Sequence, residues 1–119
     1  MASNLRLRTI CIDCCTDDLT QAASFWAELL GLQSVEPEAG ADGDPARYVA
    51  LRGAAGHPRF LLQKVDHAPR VHLDFDSNDP GGEEARIVAL GGKVVSRQKD
   101  WTVMEAPTGH RFCIMASAD

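Results

Sequence analysis

The chain has 119 residues, 45% of them hydrophobic, and a formal net charge of −5 at pH 7, which fits one compact domain with a single core. No apolar run approaches the roughly 18 residues of a membrane span, the first residues lack the pattern of a secretion signal, and no basic stripe is present to bind phosphates. We therefore expect a cytoplasmic protein without nucleic-acid or membrane partners.

The first half of the chain predicts a strand, a helix and three further strands. Apolar and β-branched residues indicate the first strand over residues 5–14. Asp18 is a helix N-cap signal and Gly31 a stop signal. Between them, apolar residues at helical spacing predict one buried stripe: Ala22, Phe25, Trp26, Leu29 and Leu30. The remaining predicted segments are strands over 33–37, 48–52 and 59–65 and a loop over 38–46.

The second half predicts the same order of elements. In a strand over residues 70–76, alternation puts Val71, Leu73 and Phe75 on a face that packs on helices. The opposite face then carries Arg70, His72 and Asp74. A helix opens at Asp79, with Ala85, Ile87, Val88 and Leu90 as its apolar side and Glu83, Glu84 and Arg86 in solvent. The predicted strands that follow cover 93–97, 101–105 and 111–116, with a turn at 106–109.

The two halves keep nearly the same spacing. Seven positions separate Cys11 from Asp18, and seven separate His72 from Asp79. Neither half of a chain this short can close a core alone, so the repeat predicts two modules that share one domain. We expect a single domain over residues 1–119, with module one at 5–65 and module two at 70–116.

Four cysteines raise the question of a disulfide or a zinc site. Disulfides are rare in a reducing compartment, and the spacing offers no pair of CxxC motifs. Cys14 and Cys15 are neighbours, so on a strand they point to opposite faces. We expect most of the four to be small buried hydrophobic residues, with Cys11 and Cys113 left as candidates for a site.

Several segments together carry a family resemblance: FWAELLG at 25–31, RVHLD at 70–74, ALG at 89–91, and WTVMEAPTGHRFC at 101–113. In this order and at these separations they resemble the glyoxalase-like branch of the vicinal-oxygen-chelate superfamily, which includes glyoxalase, bleomycin resistance protein and dioxygenases. The resemblance implies an α+β fold in which two tandem βαβββ modules form an incomplete curved barrel around a small-molecule cavity. It also implies a homodimer, which exposed sheet edges in so small a protein favour as well.

Catalytic members of this family hold a divalent metal with His and Glu side chains from the first and last strand of each module. The matching positions here are Cys11, Gln63 or Leu61, His72 and Cys113, a set without the family's carboxylates. Two thiolates and an imidazole can hold Zn²⁺, whereas harder cations require carboxylates. The alternative is that the cysteines pack and His72 only makes a hydrogen bond. We expect well under one equivalent of divalent metal in the purified protein, with His72 as a ligand of any metal that binds.

The residues expected to line the ligand cavity are His72, Gln63, Cys11, Cys113 and Trp101, and no catalytic residue is assigned. Two carboxylates, Asp13 and Asp74, follow the metal positions by two residues and share their face. Such a carboxylate either orients His72 or acts as a base, or it pairs with an arginine such as Arg70 or Arg59. Arg70 itself either binds a ligand carboxylate or is solvated.

Two functions remain open at this point. The first is a small-molecule-binding glyoxalase-like protein with lyase or dioxygenase activity. The alternative is a metal-free protein that sequesters a drug or metabolite, as antibiotic-resistance members of the family do. Fold alone does not decide between them, because one scaffold hosts many activities.

Overall fold

A computed structural model describes residues 4–34, 37, 39, 43, 47–53 and 59–117 of the chain. Within them the strands and helices follow the predicted order. They are β1 (Arg6–Cys15), α1 (Leu19–Leu30), β2 (Gln33–Ser34), β3 (Tyr48–Arg52), β4 (Phe60–Val65), β5 (Arg70–Ser77), α2 (Pro80–Ala89), β6 (Lys93–Arg97), β7 (Trp101–Glu105) and β8 (Arg111–Ala116). None of the described helices is long and apolar enough to cross a membrane.

Local signals place the helix ends as predicted. The Asp18 side chain accepts a hydrogen bond from the Gln21 backbone N–H at 3.1 Å, and the Asp79 side chain accepts one from Gly82 at 3.1 Å. Gly31 ends α1 in the left-handed region, at φ 69°, where a side chain would be strained. Only β2 is clearly shorter than predicted, and residues 35 and 36 lie outside the described part of the chain. The predicted loop over 38–46 also lies outside it, apart from residues 39 and 43.

Two compact units carry these elements, one formed by Thr9–Val71 and the other by Met1–Arg8 with His72–Asp119. In the first unit the strand order is β2-β3-β4-β1, and in the second it is β5-β8-β7-β6. Each module's first strand runs parallel to its last strand, and the remaining neighbours are antiparallel. The predicted α+β fold with two tandem βαβββ modules is confirmed.

The core of the first unit lies between α1 and one face of its strands. It comprises Ile12, Cys14, Leu19, Ala23, Ala27, Leu32, Val49, Leu51 and Leu62. The predicted stripe on α1 is partly wrong, because Phe25 and Leu29 are exposed while Ala23 and Ala27 are buried. Small side chains at Ala23 and Ala27 let the helix lie close to the strands. Phe25 and Leu29 each follow one of these alanines by two residues, which places them on the opposite side of the helix.

The core of the second unit is smaller. Ile87 of α2 packs against Met104 and Ile114, with Leu5, Val94 and Phe112 around them. The predicted apolar side of α2 is wrong apart from Ile87, because Ala85, Val88 and Leu90 are exposed. Glu83, expected in solvent, is buried.

Burial of Glu83 has a visible cause in its partners. Its carboxylate accepts two hydrogen bonds from Arg86, from Nε and Nη2, each at 2.9 Å, and a third from the Asn4 backbone N–H at 2.9 Å. Charged partners that satisfy both oxygens make burial of a carboxylate tolerable. The sequence pattern of α2 alone does not contain this information.

The start of β5 also differs from expectation. Val71 and Leu73 are exposed, so the prediction that they pack on a helix is wrong. The reason is that α2 packs on β6 and β8 rather than on β5. Phe75 instead meets Phe112 edge to face, with ring centroids 5.9 Å apart.

Replacing Leu62 with alanine tests the first core. Leu62 has 0% of its surface exposed, so Leu62→Ala should lower the free energy of unfolding by about 2–5 kcal/mol. Leu29→Ala is the matched control on an exposed leucine, with an expected change within about 0.5 kcal/mol. Chemical denaturation of the two variants measures both values, and equal losses would show that the core is placed wrongly.

Candidate functional site

In the second unit, strand register decides which side chains face away from α2. Leu73 pairs with Phe112, which packs against the α2 core, and Asp74 pairs with Cys113. Because side chains alternate along a strand, Asp74, Cys113 and His72 lie on the face opposite α2. This is the face on which the sequence predicts His72, while its role in ligand binding stays a prediction.

His72 and Asp74 form a close pair on this face. His72 Nε2 lies 3.3 Å from Asp74 Oδ1, and the two side chains are only 14% and 13% exposed. This distance suits an ion pair when the imidazole is protonated. Asp74 Oδ1 is buried and accepts no hydrogen bond from the described residues. A buried carboxylate oxygen in this state can accept a donor or a cation.

Cys113 completes a group of three possible metal ligands. One ligand atom from each of His72, Asp74 and Cys113 lies within 4.8 Å of the other two. The family's ligand positions in this chain still lack a carboxylate, but Asp74, two residues after His72, adds one to this group. An imidazole, a carboxylate and a thiolate are a donor set that fits a borderline cation such as Zn²⁺. The buried Asp74 oxygen supports the same fit.

Two other acidic groups of the second unit lie beside cations. Asp76 Oδ1 is also buried and accepts no hydrogen bond from the described residues, but it lies 3.3 Å from Arg6 Nε. Glu105 contacts Lys93 Nζ at 3.0 Å and Arg111 Nε at 3.2 Å. Hydrogen bonds from Lys93 and then Arg111 hold the pKa of Glu105 below its usual value. Among these carboxylates, Asp74 is the one whose neighbours are an imidazole and a thiol.

A comparable group occupies the first unit. Cys11 and Asp13 are buried, and Cys11 Sγ lies 3.6 Å from Asp13 Oδ1 and 3.9 Å from Gln63 Oε1. Asp13 pairs with Gln63 in the register of β1 and β4, as Asp74 pairs with Cys113. Gln63, and not Leu61, is therefore the first module's equivalent of Cys113.

The proposed partners of Asp13 can also be distinguished. Arg70 Nε lies 3.5 Å from Asp13 Oδ2, so of the two arginines considered, Arg70 is the one that pairs with this carboxylate.

Trp101 lies farther along the face that carries Cys113. It pairs with Met115, while Val103, two residues on, pairs with Cys113. Trp101 is 39% exposed, so its ring is available to stack on a ligand.

The structure thus brings together His72 with Cys113, and Cys11 with Gln63, while the complete five-residue cavity stays a prediction. The signal that identifies Asp74 as a donor is its position two residues after His72, on the same strand face.

Comparison with known proteins places this arrangement in context. The model of the glyoxalase-like domain family matches residues 9–115. No curated protein sequence matches the chain.

Solved structures match over most of the chain. Methylmalonyl-CoA epimerase from Mycobacterium tuberculosis has a TM-score of 0.64 and 16% identity, covering 95% of this chain and 88% of that one. The Mn(II)-bound glyoxalase from Novosphingobium aromaticivorans has a TM-score of 0.62 and 20% identity, with 92% and 38% covered. An extradiol ring-cleaving dioxygenase from B. fuscum has a TM-score of 0.65 and 20% identity, with 96% and 33% covered. At these identities the likeness shows the fold alone.

Thiol reactivity tests the placement of the cysteines. Burial, and then the charge of Asp13, raise the pKa of Cys14, so its reactive thiolate forms only at higher pH, while Cys15 is exposed. We expect iodoacetamide at mildly alkaline pH to label Cys15 first and Cys14 and Cys11 last, as read by mass spectrometry of peptides. In denaturant all four should react alike. Labelling of Cys14 as fast as Cys15 in the folded protein would contradict the placement.

Proposed function

Because this chain belongs to the glyoxalase-like domain family, we propose that it binds a small molecule on the polar face of its second module, with His72, Asp74 and Cys113 at the centre. The observation that carries the proposal is the buried Asp74 Oδ1, which accepts no hydrogen bond from the described residues. A polar atom left in this way costs roughly 1–3 kcal/mol. A ligand or cation that occupies the site removes this cost.

A divalent cation would be held by the His72 imidazole, the Asp74 carboxylate and the Cys113 thiolate. Such an ion would act as a Lewis acid that polarises a carbonyl or hydroxyl oxygen of the bound molecule. Without the ion, the His72 imidazole, 3.3 Å from the Asp74 carboxylate, would be the group that exchanges a proton with the ligand.

Of the two activities that the resemblance implies, these residues favour a lyase over a dioxygenase. Non-haem iron oxygenases use two imidazoles and one carboxylate. Here one imidazole and one carboxylate are joined by the Cys113 thiol, a donor set closer to that of zinc sites.

One observation favours metal-free sequestration as the second candidate. Trp101 is 39% exposed, and Val103 and Met115 share its strand face. An aromatic ring beside two apolar side chains suits a flat apolar ligand, which needs no metal. In this case Trp101→Ala should weaken ligand binding more than His72→Ala does.

Zinc uptake decides between the two candidates. After chelator treatment, the full chain should bind one equivalent of Zn²⁺ in a calorimetric titration. His72→Ala and Asp74→Asn should each weaken binding at least tenfold, about 1.4 kcal/mol, because each removes a donor. His67→Ala is the matched control, since His67 is partly exposed, does not belong to the donor group, and its Nδ1 lies 2.8 Å from the Ala68 carbonyl oxygen.

Failure of the wild-type chain to take up zinc, or equal losses in all three variants, would contradict the metal centre and leave sequestration. A thermal-shift screen of metabolites and antibiotics would then identify the ligand. Binding of that ligand to the Trp101→Ala and His72→Ala variants locates the site.

A further inference from the structure

Arg70, in the first unit, pairs with a buried carboxylate although its own side chain is half exposed. Its side chain is 49% exposed, whereas the Asp13 side chain that it contacts is only 2% exposed. The contact joins Arg70 Nε to Asp13 Oδ2 at 3.5 Å. It is the only contact that the described part of the chain gives to the Arg70 guanidinium, so both Nη groups are left for another acceptor.

Arg86 provides a bidentate arginine–carboxylate pair for comparison in the same protein. It donates from Nε and from Nη2 to Glu83, each at 2.9 Å, and its side chain is 18% exposed. That pair is bidentate. Arg70 differs because only its Nε side meets a carboxylate, and at a longer distance.

The position of Asp13 is fixed by its own contacts. Its Oδ1 lies 3.6 Å from the thiol of Cys11, which is buried. Its backbone pairs with Gln63 in the parallel register of β1 and β4. A carboxylate held on a buried strand face keeps the Nε side of Arg70 in place, while the arginine side chain stays 49% exposed.

We propose that Arg70 is a recognition residue in the first unit that binds the carboxylate of a small molecule, and that Asp13 is the positioning residue that presents it. The inference goes beyond the proposed function, because it concerns the first unit and does not depend on the metal centre of the second. The two Nη groups match the two oxygens of a carboxylate in geometry.

A carboxylate suits this site better than a phosphate does. Asp13 already neutralises much of the Arg70 charge, and the whole chain carries a formal net charge of −5. A second negative charge on the ligand would therefore be repelled rather than stabilised. The ligand class implied is a small molecule with a single carboxylate.

Benzoate and its uncharged amide, benzamide, are the probes that test this. The arginine Nε–Hε signals of the full chain are followed by ¹H–¹⁵N NMR during titration. Benzoate should shift the Arg70 signal saturably and benzamide should not. Arg70→Gln should weaken benzoate binding at least fivefold, and Arg70→Lys should restore part of it. Arg59→Gln, a change at an exposed arginine of the same unit, is the matched control and should have no effect.

A positioning role for Asp13 has its own readout. Wild-type protein should prefer benzoate to inorganic phosphate, and Asp13→Asn should reduce that preference because the Arg70 charge is no longer neutralised. Equal binding of benzoate and benzamide, unchanged affinity in Arg70→Gln, or no saturable shift with benzoate would overturn the proposal. Zinc uptake dependent on His72 is measured separately, so it distinguishes failure of this anion site from failure of the proposed function.

Discussion

Parallel pairing between the first and last strand of each module is the constraint on which the site depends. In the second unit it sets Asp74 beside Cys113, and in the first it sets Asp13 beside Gln63. A slip of one residue would turn every side chain of the strand to the opposite face. The same slip would turn His72 and Asp74 to the face of the second core and turn Phe75 away from Phe112. The hydrophobic core and the polar group are therefore fixed by one register, so stability of the fold and geometry of the site cannot be separated.

The duplicated module carries different chemistry in its two copies. Where the second unit has His72 and Cys113 around Asp74, the first has Cys11 and Gln63 around Asp13. Asp13 has a guanidinium as its neighbour and Asp74 has an imidazole. The first group is suited to hold a charged recognition residue, and the second to hold a cation or move a proton.

Local signals were enough to predict most of the fold. N-caps at Asp18 and Asp79 and the turn before Arg111 act within a few residues, so the sequence contains them directly. Local signals do not determine which side of a helix faces its strands, because this depends on which side allows the closest approach. Ala23 and Ala27 provide that approach, although Phe25 and Leu29 are more hydrophobic.

Burial of Glu83 depends on Asn4, which is distant in sequence, and no periodicity predicts it. The sequence shows Asp74 two residues after His72, but its place in a donor set depends on Cys113, which the strand register brings beside it.

X-ray absorption at the zinc edge tests the central claim most directly, because it identifies the donor atoms. For the zinc-loaded full chain, the account predicts one sulfur donor together with nitrogen and oxygen donors. Cys113→Ser should remove the sulfur contribution, and Cys15→Ser, a change at an exposed cysteine, should leave it intact. A spectrum without sulfur, or a sulfur contribution that survives Cys113→Ser, would contradict the assignment of His72, Asp74 and Cys113 as the centre of the site.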